Sequence, residues 1–257
     1  MNLSCQWVAF STIVRKEVTR FTRIWVQTLI PPVITMSLYF IIFGHLIGRR
    51  IGEMGGFDYM SFVVPGLVMM AVVNSAYANV SSSFFSAKFH RSVEELLVSP
   101  TPGYIILLGY VAGGVLRGLA VGLIVTVVSL FFTQLAIEHL LVTIVAIVCS
   151  AVLFSVAGFI NGIYANSFDA ISIVPTFVLT PLTYVGGVFY SIDLLPDFWR
   201  GVSMLNPVLY MVNAFRYGFL GVSDVPVGPT LTGLVLLTLA SFLLAWYLLA
   251  RGRCLRS

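Results

Sequence analysis

Six apolar stretches, each long enough to cross a lipid bilayer, dominate this chain and contain almost no acidic or basic residues. A helix needs about 20 apolar residues to span the hydrocarbon core. Only 9% of the residues are charged, whereas average globular domains carry about 25%. So few charges cannot solvate the outside of a water-soluble fold, and lipid must therefore cover most of the surface. The stretches are 24–47, 59–86, 116–135, 140–165, 171–190 and 230–250.

The continuity of these stretches predicts helices, because the strands of a membrane β-barrel would show short alternating segments. We therefore predict an all-α polytopic membrane protein with six transmembrane helices. A single domain is expected over residues 1–257, with the first five spans within 24–190 and the sixth at 230–250.

The segment 5–22 precedes the first apolar stretch and has the pattern of an amphipathic helix. Arg15, Lys16 and Arg20 lie away from its apolar face. We predict an interfacial helix on the inner leaflet, with its basic residues near anionic head groups. A plain flanking segment is the alternative. The apolar residues recur at helical spacing, at Trp7, Phe10, Val14, Val18 and Phe21.

The segment 191–229 is too polar for a simple span and too apolar for an ordinary loop. Apolar pairs such as Phe198-Trp199 alternate with Asp193, Asp197 and Arg200. We predict short outer re-entrant helices, interrupted at Asn206-Pro207 because the residue before a proline disfavours helix.

The distribution of basic residues predicts that both termini are cytoplasmic. With the N-terminus inside, the inside segments hold nine Lys and Arg residues and the outside segments hold four, as the positive-inside rule requires. Arg117 lies within the third stretch and is not included in either count. This placement accounts for the net charge of +4 without a nucleic-acid partner.

The second half of the second stretch carries polar residues that include Asn74, Asn79 and Ser82. Polar groups that face lipid are costly, so this part of the helix should meet another helix or a wet pathway, and both alternatives stay open. In the third stretch, Gly114, Gly118 and Gly122 recur every four residues, which favours close helix packing.

The loop 88–102 has the composition of a short amphipathic helix. Ser92 can cap it, Glu94 and Glu95 suit its first turn, and prolines follow at its end. Such a helix would dock on a soluble partner; a solvated turn is the alternative. The apolar face consists of Val93, Leu96 and Leu97.

The chain lacks the signatures of several functions. Neither Lys16 nor Lys88 follows a glycine, so no phosphate-binding loop is present. No acidic residue lies within a predicted span, which disfavours ion coupling. No hydrolase motif occurs, which disfavours a membrane enzyme. Arg117 is the one charge near membrane depth, and it either snorkels to the inner interface or lies beside a pathway.

Four features together resemble one family. They are the amphipathic helix before the first span, the loop Glu94-Glu95-Leu96-Leu97-Val98-Ser99-Pro100, the six spans, and the segment from Leu205-Asn206-Pro207 through Arg216. The whole chain resembles the membrane-spanning subunit of type-2 ATP-binding-cassette exporters. That group includes permeases for O-antigen-like polysaccharides and for drugs, and it is related to the ABCG fold.

The resemblance implies a role for each segment. Residues 7–22 would be the connecting helix beside the ATPase, 91–99 the coupling helix, and 193–216 the roof of the exit. Two permeases would pair with two ATP-binding subunits in a bacterial inner membrane, with ATP and Mg on those subunits and no cofactor here. The ATPase-coupling residues would be Arg91, Glu94, Glu95, Leu96 and Leu97. The pathway would be lined by Asn74, Asn79, Ser82, Pro175, Tyr184 and Phe189.

Two other functions remain open at this point. An ATP-independent carrier or channel would transport from this polypeptide alone. A membrane assembly or anchoring factor would need a partner but no pathway. The residues do not identify the cargo.

Overall fold

The computed structural model describes residues 3–134 and 136–251, and nearly all of that part of the chain is helical. Two π-helical segments occur at Phe40–Ile47 and Pro175–Leu179, and a 3-10 turn at Ile192–Leu194. The strands β1 (Glu53–Met54) and β2 (Phe57–Asp58) form a short antiparallel hairpin. The helices are α1 (Leu3–Arg23), α2 (Trp25–Tyr39), α3 (Gly48–Ile51), α4 (Tyr59–Phe89), α5 (Ser92–Val98), α6 (Gly103–Ser129), α7 (Leu140–Tyr164), α8 (Phe168–Val174), α9 (Thr180–Val185), α10 (Asp197–Met204), α11 (Pro207–Leu220) and α12 (Val227–Arg251).

Within the described residues, six helical segments have the length and composition to cross a membrane. This confirms the prediction of an all-α polytopic membrane protein. We number these segments as spans 1 to 6. They are Trp25–Gly44, Tyr59–Phe89, Gly103–Ser129, Leu140–Tyr164, Phe168–Val185 and Val227–Arg251.

The predicted start of the third span at residue 116 is wrong. Pro102 has extended dihedral angles (φ −61°, ψ 139°), and the helix begins directly after it at Gly103. The residues up to 115 are as apolar as those that follow, so they continue the span toward α5. The helix ends at Ser129, and residue 135, the predicted end, lies outside the described residues.

Span 5 begins and ends earlier in the chain than predicted, at Phe168 and Val185. The side chain of Ser167 accepts a hydrogen bond from the backbone N–H of Ala170, and this cap starts the helix at Phe168. The helix ends at Val185, before residue 190, because Gly187 has a left-handed backbone (φ +69°). The helix therefore breaks at Gly186-Gly187.

Helix α4 is the centre of the fold and packs against α6, α7 and α11. Glycines on the neighbouring helices allow these close approaches. A Cβ atom on Gly158 of α7 would lie 2.5 Å from the carbonyl oxygen of Tyr77. A Cβ atom on Gly118 of α6 would lie 3.0 Å from Cβ of Ala76. The small residues predicted to mediate helix packing do so.

A second row of glycines on α6 receives α1. A Cβ atom on Gly109 would lie 2.6 Å from Cγ2 of Ile13, and one on Gly113 would lie 2.5 Å from Cβ of Glu17. Glycines spaced four apart on α6 therefore face residues spaced four apart on α1. Helix α1 lies directly on α6 as a result.

The N-terminal helix forms as predicted, and its buried face shares Phe21 with the predicted apolar face but also includes Glu17. The buried residues are Ile13, Glu17 and Phe21. Trp7, assigned to the apolar face, is 68% exposed. The difference arises because α1 packs by shape on the glycines of α6, which admit the stem of Glu17 as well as apolar side chains.

Residues 191–226 contain the predicted short helices, with the break at Asn206. The side chain of Asn206 accepts a hydrogen bond from the backbone N–H of Val208 (3.0 Å) and so caps α11. Its amide donates to the carbonyl of Leu182 (2.6 Å), which ties α11 to span 5. The depth of these helices in the outer leaflet stays a prediction.

Candidate coupling and transport site

A buried carboxylate lies where α1 meets α4. The side chain of Glu17 is 0% exposed, although it belongs to a helix predicted to be interfacial. It accepts hydrogen bonds from Oγ of Ser83 (2.5 Å), Nδ2 of Asn79 (3.4 Å) and the guanidinium of Arg20 (3.3 Å). A charge removed from solvent requires such partners, so these contacts fix the position of α1 on α4.

Arg20 extends the network to the backbone of α4. Its terminal nitrogen donates to both the carbonyl oxygen and the side-chain oxygen of Asn79, each at 2.9 Å. Ser82 donates to the same carbonyl of Asn79 (3.2 Å) and to that of Ala78 (2.7 Å). A displacement of α1 would therefore act directly on this part of α4.

Asn79, one of the predicted pathway residues, lies between α4 and α1. Asn79 is 0% exposed and faces α1. In this conformation it contributes to helix contact, not to an open surface. Helix packing and a wet pathway were both open for this polar face, and a pathway role of Asn79 stays a prediction.

Helix α5 lies at the end of α4 and carries the predicted coupling residues. Glu94 and Glu95 are exposed, as is Arg91, whose backbone is left-handed (φ +59°). Arg91, not Ser92, occupies the cap position, since the hydroxyl of Ser92 donates to the carbonyl of Ala87. The predicted cap is therefore wrong.

The apolar residues of α5 divide between two surfaces. Val93 is 3% exposed and Leu96 is half-buried, and both pack against apolar side chains of the protein itself. The side chain of Leu97 lies outside the described residues. Val98 is 87% exposed, and Phe89, just before α5, is also exposed. Neither was among the predicted docking residues, although both lie within a few positions of them.

One side of α4 remains open. Asn74, Ala78, Ser82 and Ser86 are each half-buried and recur every four residues, whereas their neighbours in the helix are buried. We call these four residues the open stripe. It lies between the side of α4 that contacts α1 and the side where Phe85 contacts Phe168 of span 5. Asn74 and Ser82 of the predicted pathway set belong to it.

The remaining predicted pathway residues lie on or just after span 5. Tyr184 and Phe189 stack on each other at 5.7 Å, and the hydroxyl of Tyr184 is 3.2 Å from that of Tyr39 in span 1. Phe43 packs on Phe189 at 4.5 Å. Spans 1 and 5 therefore meet through aromatic rings at the end opposite α5. Pro175 is half-buried and begins the π-helical segment nine residues before Tyr184.

A buried arginine, named in the sequence only as the end of the segment that begins at Leu205, holds this opposite end together. Arg216 of α11 is fully buried and donates to the carbonyl oxygens of Gly187 (2.7 Å) and Phe62 (3.3 Å). Burial lowers the pKa of Arg216 to about 10, and the carboxylate of Asp224 opposes this shift. The guanidinium stays charged at neutral pH and joins α11, the start of α4 and the turn after span 5.

Comparison with known proteins identifies the family. Residues 8–220 match the family described as ABC-2 type transporter. The chain belongs to the ABC-2 type transporter family. It is 61% identical over 251 residues to the inner membrane transport permease YadH of Escherichia coli strain K12, covering 98% of each chain. It is 23% identical over 249 residues to nodulation protein J of Rhizobium leguminosarum bv. trifolii, covering 96% of this chain and 94% of that protein.

Membership of the ABC-2 type transporter family makes this chain a membrane permease and a component of a transporter. The matched residues extend from α1 through α11. That ABC-2 region includes the buried network of Glu17, helix α5, the open stripe and Arg216.

Proposed function

We propose that this permease is the membrane subunit of an ATP-driven exporter in a bacterial inner membrane. A separate ATP-binding subunit supplies the energy, and ATP and Mg bind to that subunit. Two permeases and two ATP-binding subunits form one transporter. Both termini and α5 are cytoplasmic, so the aromatic contacts and Arg216 lie at the outer end. The family resemblance supports the composition and the outward direction, and the excess of basic residues on one side supports the orientation.

The observation that carries this proposal is the physical link between the cytoplasmic surface and α4. Helix α5 follows α4 after two residues and presents Glu94, Glu95 and Val98 to solvent. Helix α1 is joined to α4 through Glu17, Asn79 and Ser83. A soluble subunit that contacts α5 and α1 therefore acts on α4 at two places.

The mechanism follows from these contacts. ATP binding closes the two partner subunits and moves α5 and α1 together as a rigid body. The buried bonds of Glu17 transmit this displacement to α4, and the open stripe moves with it. ATP drives the change only if the partner subunit binds the two permease conformations with different affinity.

The path itself lies along the open stripe, between two copies of the permease. Small and polar side chains at Asn74, Ala78, Ser82 and Ser86 leave room and hydrogen-bonding groups from the middle of span 2 to its end beside α5, where lipid-facing positions are normally apolar. The aromatic contacts between spans 1 and 5 close its outer end.

The test replaces Glu94 and Glu95 together with lysine and measures how much ATP-binding subunit co-purifies with the permease. The proposal predicts loss of the complex and of ATP-driven transport. The matched control replaces two exposed acids at the opposite end, Glu53→Lys and Asp197→Lys, and should retain the complex. Unchanged co-purification and transport in the α5 variant would remove the docking assignment.

A further inference from the structure

The junction of α1, α4 and α6 holds more positive than negative charge. Arg20 pairs with the buried carboxylate of Glu17 at 3.3 Å. Arg117 of α6 lies four residues after Gly113, which faces Glu17, so it is beside the turn of α1 that carries Arg20. Glu17 is the one carboxylate that forms an ion pair with either arginine in the described part of the chain. Two cations and one anion leave a net charge of +1 at this partly buried site.

The hydrogen bonds of the two arginines are incomplete. The Nε atoms of Arg20 and of Arg117 are both buried, and neither has a hydrogen-bond acceptor among residues 3–134 and 136–251. A buried N–H group of a guanidinium without an acceptor is costly. Two such groups beside an excess positive charge indicate an anionic acceptor outside the described residues.

Next to this site, a basic cavity lies along the exposed side of α1 and includes Arg20. The cavity has a volume of about 530 Å³ and is otherwise lined mainly by cationic and hydroxyl side chains. None of its lining residues is a carboxylate. A negatively charged group is therefore attracted along the whole length of the cavity. The polar lining residues are Thr12, Arg15, Lys16, Thr19, Arg20 and Arg23.

The location of the cavity restricts what can occupy it. It ends at Ile24, where α1 turns into span 1, and the exposed Trp25 follows at once. A turn from an amphipathic helix into a span lies at the depth of the lipid head groups. The phosphate of a phospholipid is the abundant anion at that depth, and guanidinium groups bind phosphate with paired hydrogen bonds.

We propose that Arg20, Arg117 and the basic side of α1 form a binding site for the phosphate of an anionic phospholipid from the leaflet that faces α1. The phosphate accepts hydrogen bonds from the unpaired Nε atoms and neutralises the excess charge. The lipid thereby stabilises α1 in its contact with α4. This inference does not depend on the proposed function, because a permease without an ATPase would bind the lipid equally.

The experiment compares the purified wild type with Arg117→Gln and with the control Arg251→Gln, which removes a cation from the end of α12. Each protein is mixed with phosphatidylcholine, with phosphatidylglycerol, or with inorganic phosphate. Thermal unfolding and native mass spectrometry then report stabilisation and bound lipid. We expect phosphatidylglycerol to raise the Tm of the wild type and of the control. Arg117→Gln should retain this lipid at least about tenfold more weakly, the loss expected for one charge-assisted hydrogen bond.

Three results would overturn the proposal. The first is equal retention of phosphatidylglycerol by wild type and Arg117→Gln. The second is equal stabilisation by inorganic phosphate, which would assign the site to a free anion. The third is loss of the ATP-binding subunit from Arg117→Gln with lipid retention unchanged, which would assign the surface to a protein. If Arg117→Gln does not fold, the wild type alone tests the proposal. Stronger stabilisation by phosphatidylglycerol than by phosphatidylcholine supports it, and equal stabilisation by the two lipids contradicts it.

Discussion

The hydroxyl of Ser83 donates a 2.5 Å hydrogen bond to the carboxylate of Glu17, which lies 66 residues earlier in the chain. This contact joins the N-terminal helix, which no span prediction includes, to the most buried span of the protein. It makes α1 part of the packed structure. A helix that only rested on the membrane surface would have no reason to bury a carboxylate.

Replacing Glu17 with leucine should destabilise the permease by about 3 kcal/mol, because it leaves Arg20, Asn79 and Ser83 without their common acceptor. Glu17→Gln keeps one acceptor oxygen and should lose less. Thermal unfolding in lipid–detergent micelles measures both. Glu94→Gln, at an exposed position, is the control and should unfold like the wild type. Equal stability of Glu17→Leu and wild type would show that the network contributes nothing.

Gly113→Ala should also weaken the contact of α1 with α6, at a cost of about 1 to 3 kcal/mol for an overpacked site. The added Cβ atom would lie 2.5 Å from Cβ of Glu17. Gly233→Ala in α12 is the matched control, because nothing lies within 4 Å of its added atom. That variant should gain up to about 1 kcal/mol, since alanine favours helix over glycine. The order of the two melting temperatures checks the prediction, and the reverse order would contradict it.

The six spans and the break at Asn206 could be predicted because they depend on local composition. Long apolar runs and an Asn-Pro pair determine structure without reference to distant residues. The start of the third span could not be predicted in this way. The residues between Pro102 and residue 116 are as apolar as those that follow, so hydropathy alone sets no boundary at residue 116, and the helix begins directly after Pro102.

The burial of Glu17 was missed for a different reason. Hydropathy assigns a charged residue to the polar side of a helix, whereas the partners of Glu17 lie on a distant helix. A signal was nevertheless present, because Ile13, Glu17 and Phe21 are spaced four apart. The row Gly109 and Gly113 has the same spacing, beside the more obvious row that begins at Gly114. Only the structure shows that the row of Gly109 and Gly113 contacts α1, whereas the row that begins at Gly114 contacts α4.

Val98→Asp tests the coupling surface without disturbing the fold. Val98 is 87% exposed, so the change should alter stability by no more than about 0.5 kcal/mol. It should nevertheless reduce the amount of ATP-binding subunit that co-purifies, because a charge enters the apolar part of the docking surface. Val93→Asp, at a buried position in the same helix, should instead unfold the permease at lower temperature. Retention of the partner by Val98→Asp would exclude this residue from the interface.

Arg216→Met should destabilise the end of the permease opposite α5 by about 3 kcal/mol, because it removes a buried charge and leaves Asp224 without its cation. The carbonyls of Gly187 and Phe62 also lose their donor. Arg200→Met breaks an exposed pair with Asp193 and should change stability by less than about 1 kcal/mol. Limited proteolysis after residue 185 and thermal unfolding distinguish the two variants. Equal behaviour would mean that the buried arginine is dispensable.

The central claim is that an ATP-binding partner moves α4 and its open stripe. The most direct measurement places a single cysteine at Ser82, in a permease whose native cysteines are replaced, and follows its modification by a water-soluble maleimide. The control cysteine replaces Gly201 on α10, an exposed position where an added Cβ atom meets nothing within 4 Å. The reaction rate at position 82 should change several-fold when ATP binds to the reconstituted complex, and the rate at position 201 should not. An unchanged rate at position 82, in a complex that transports, would contradict the account.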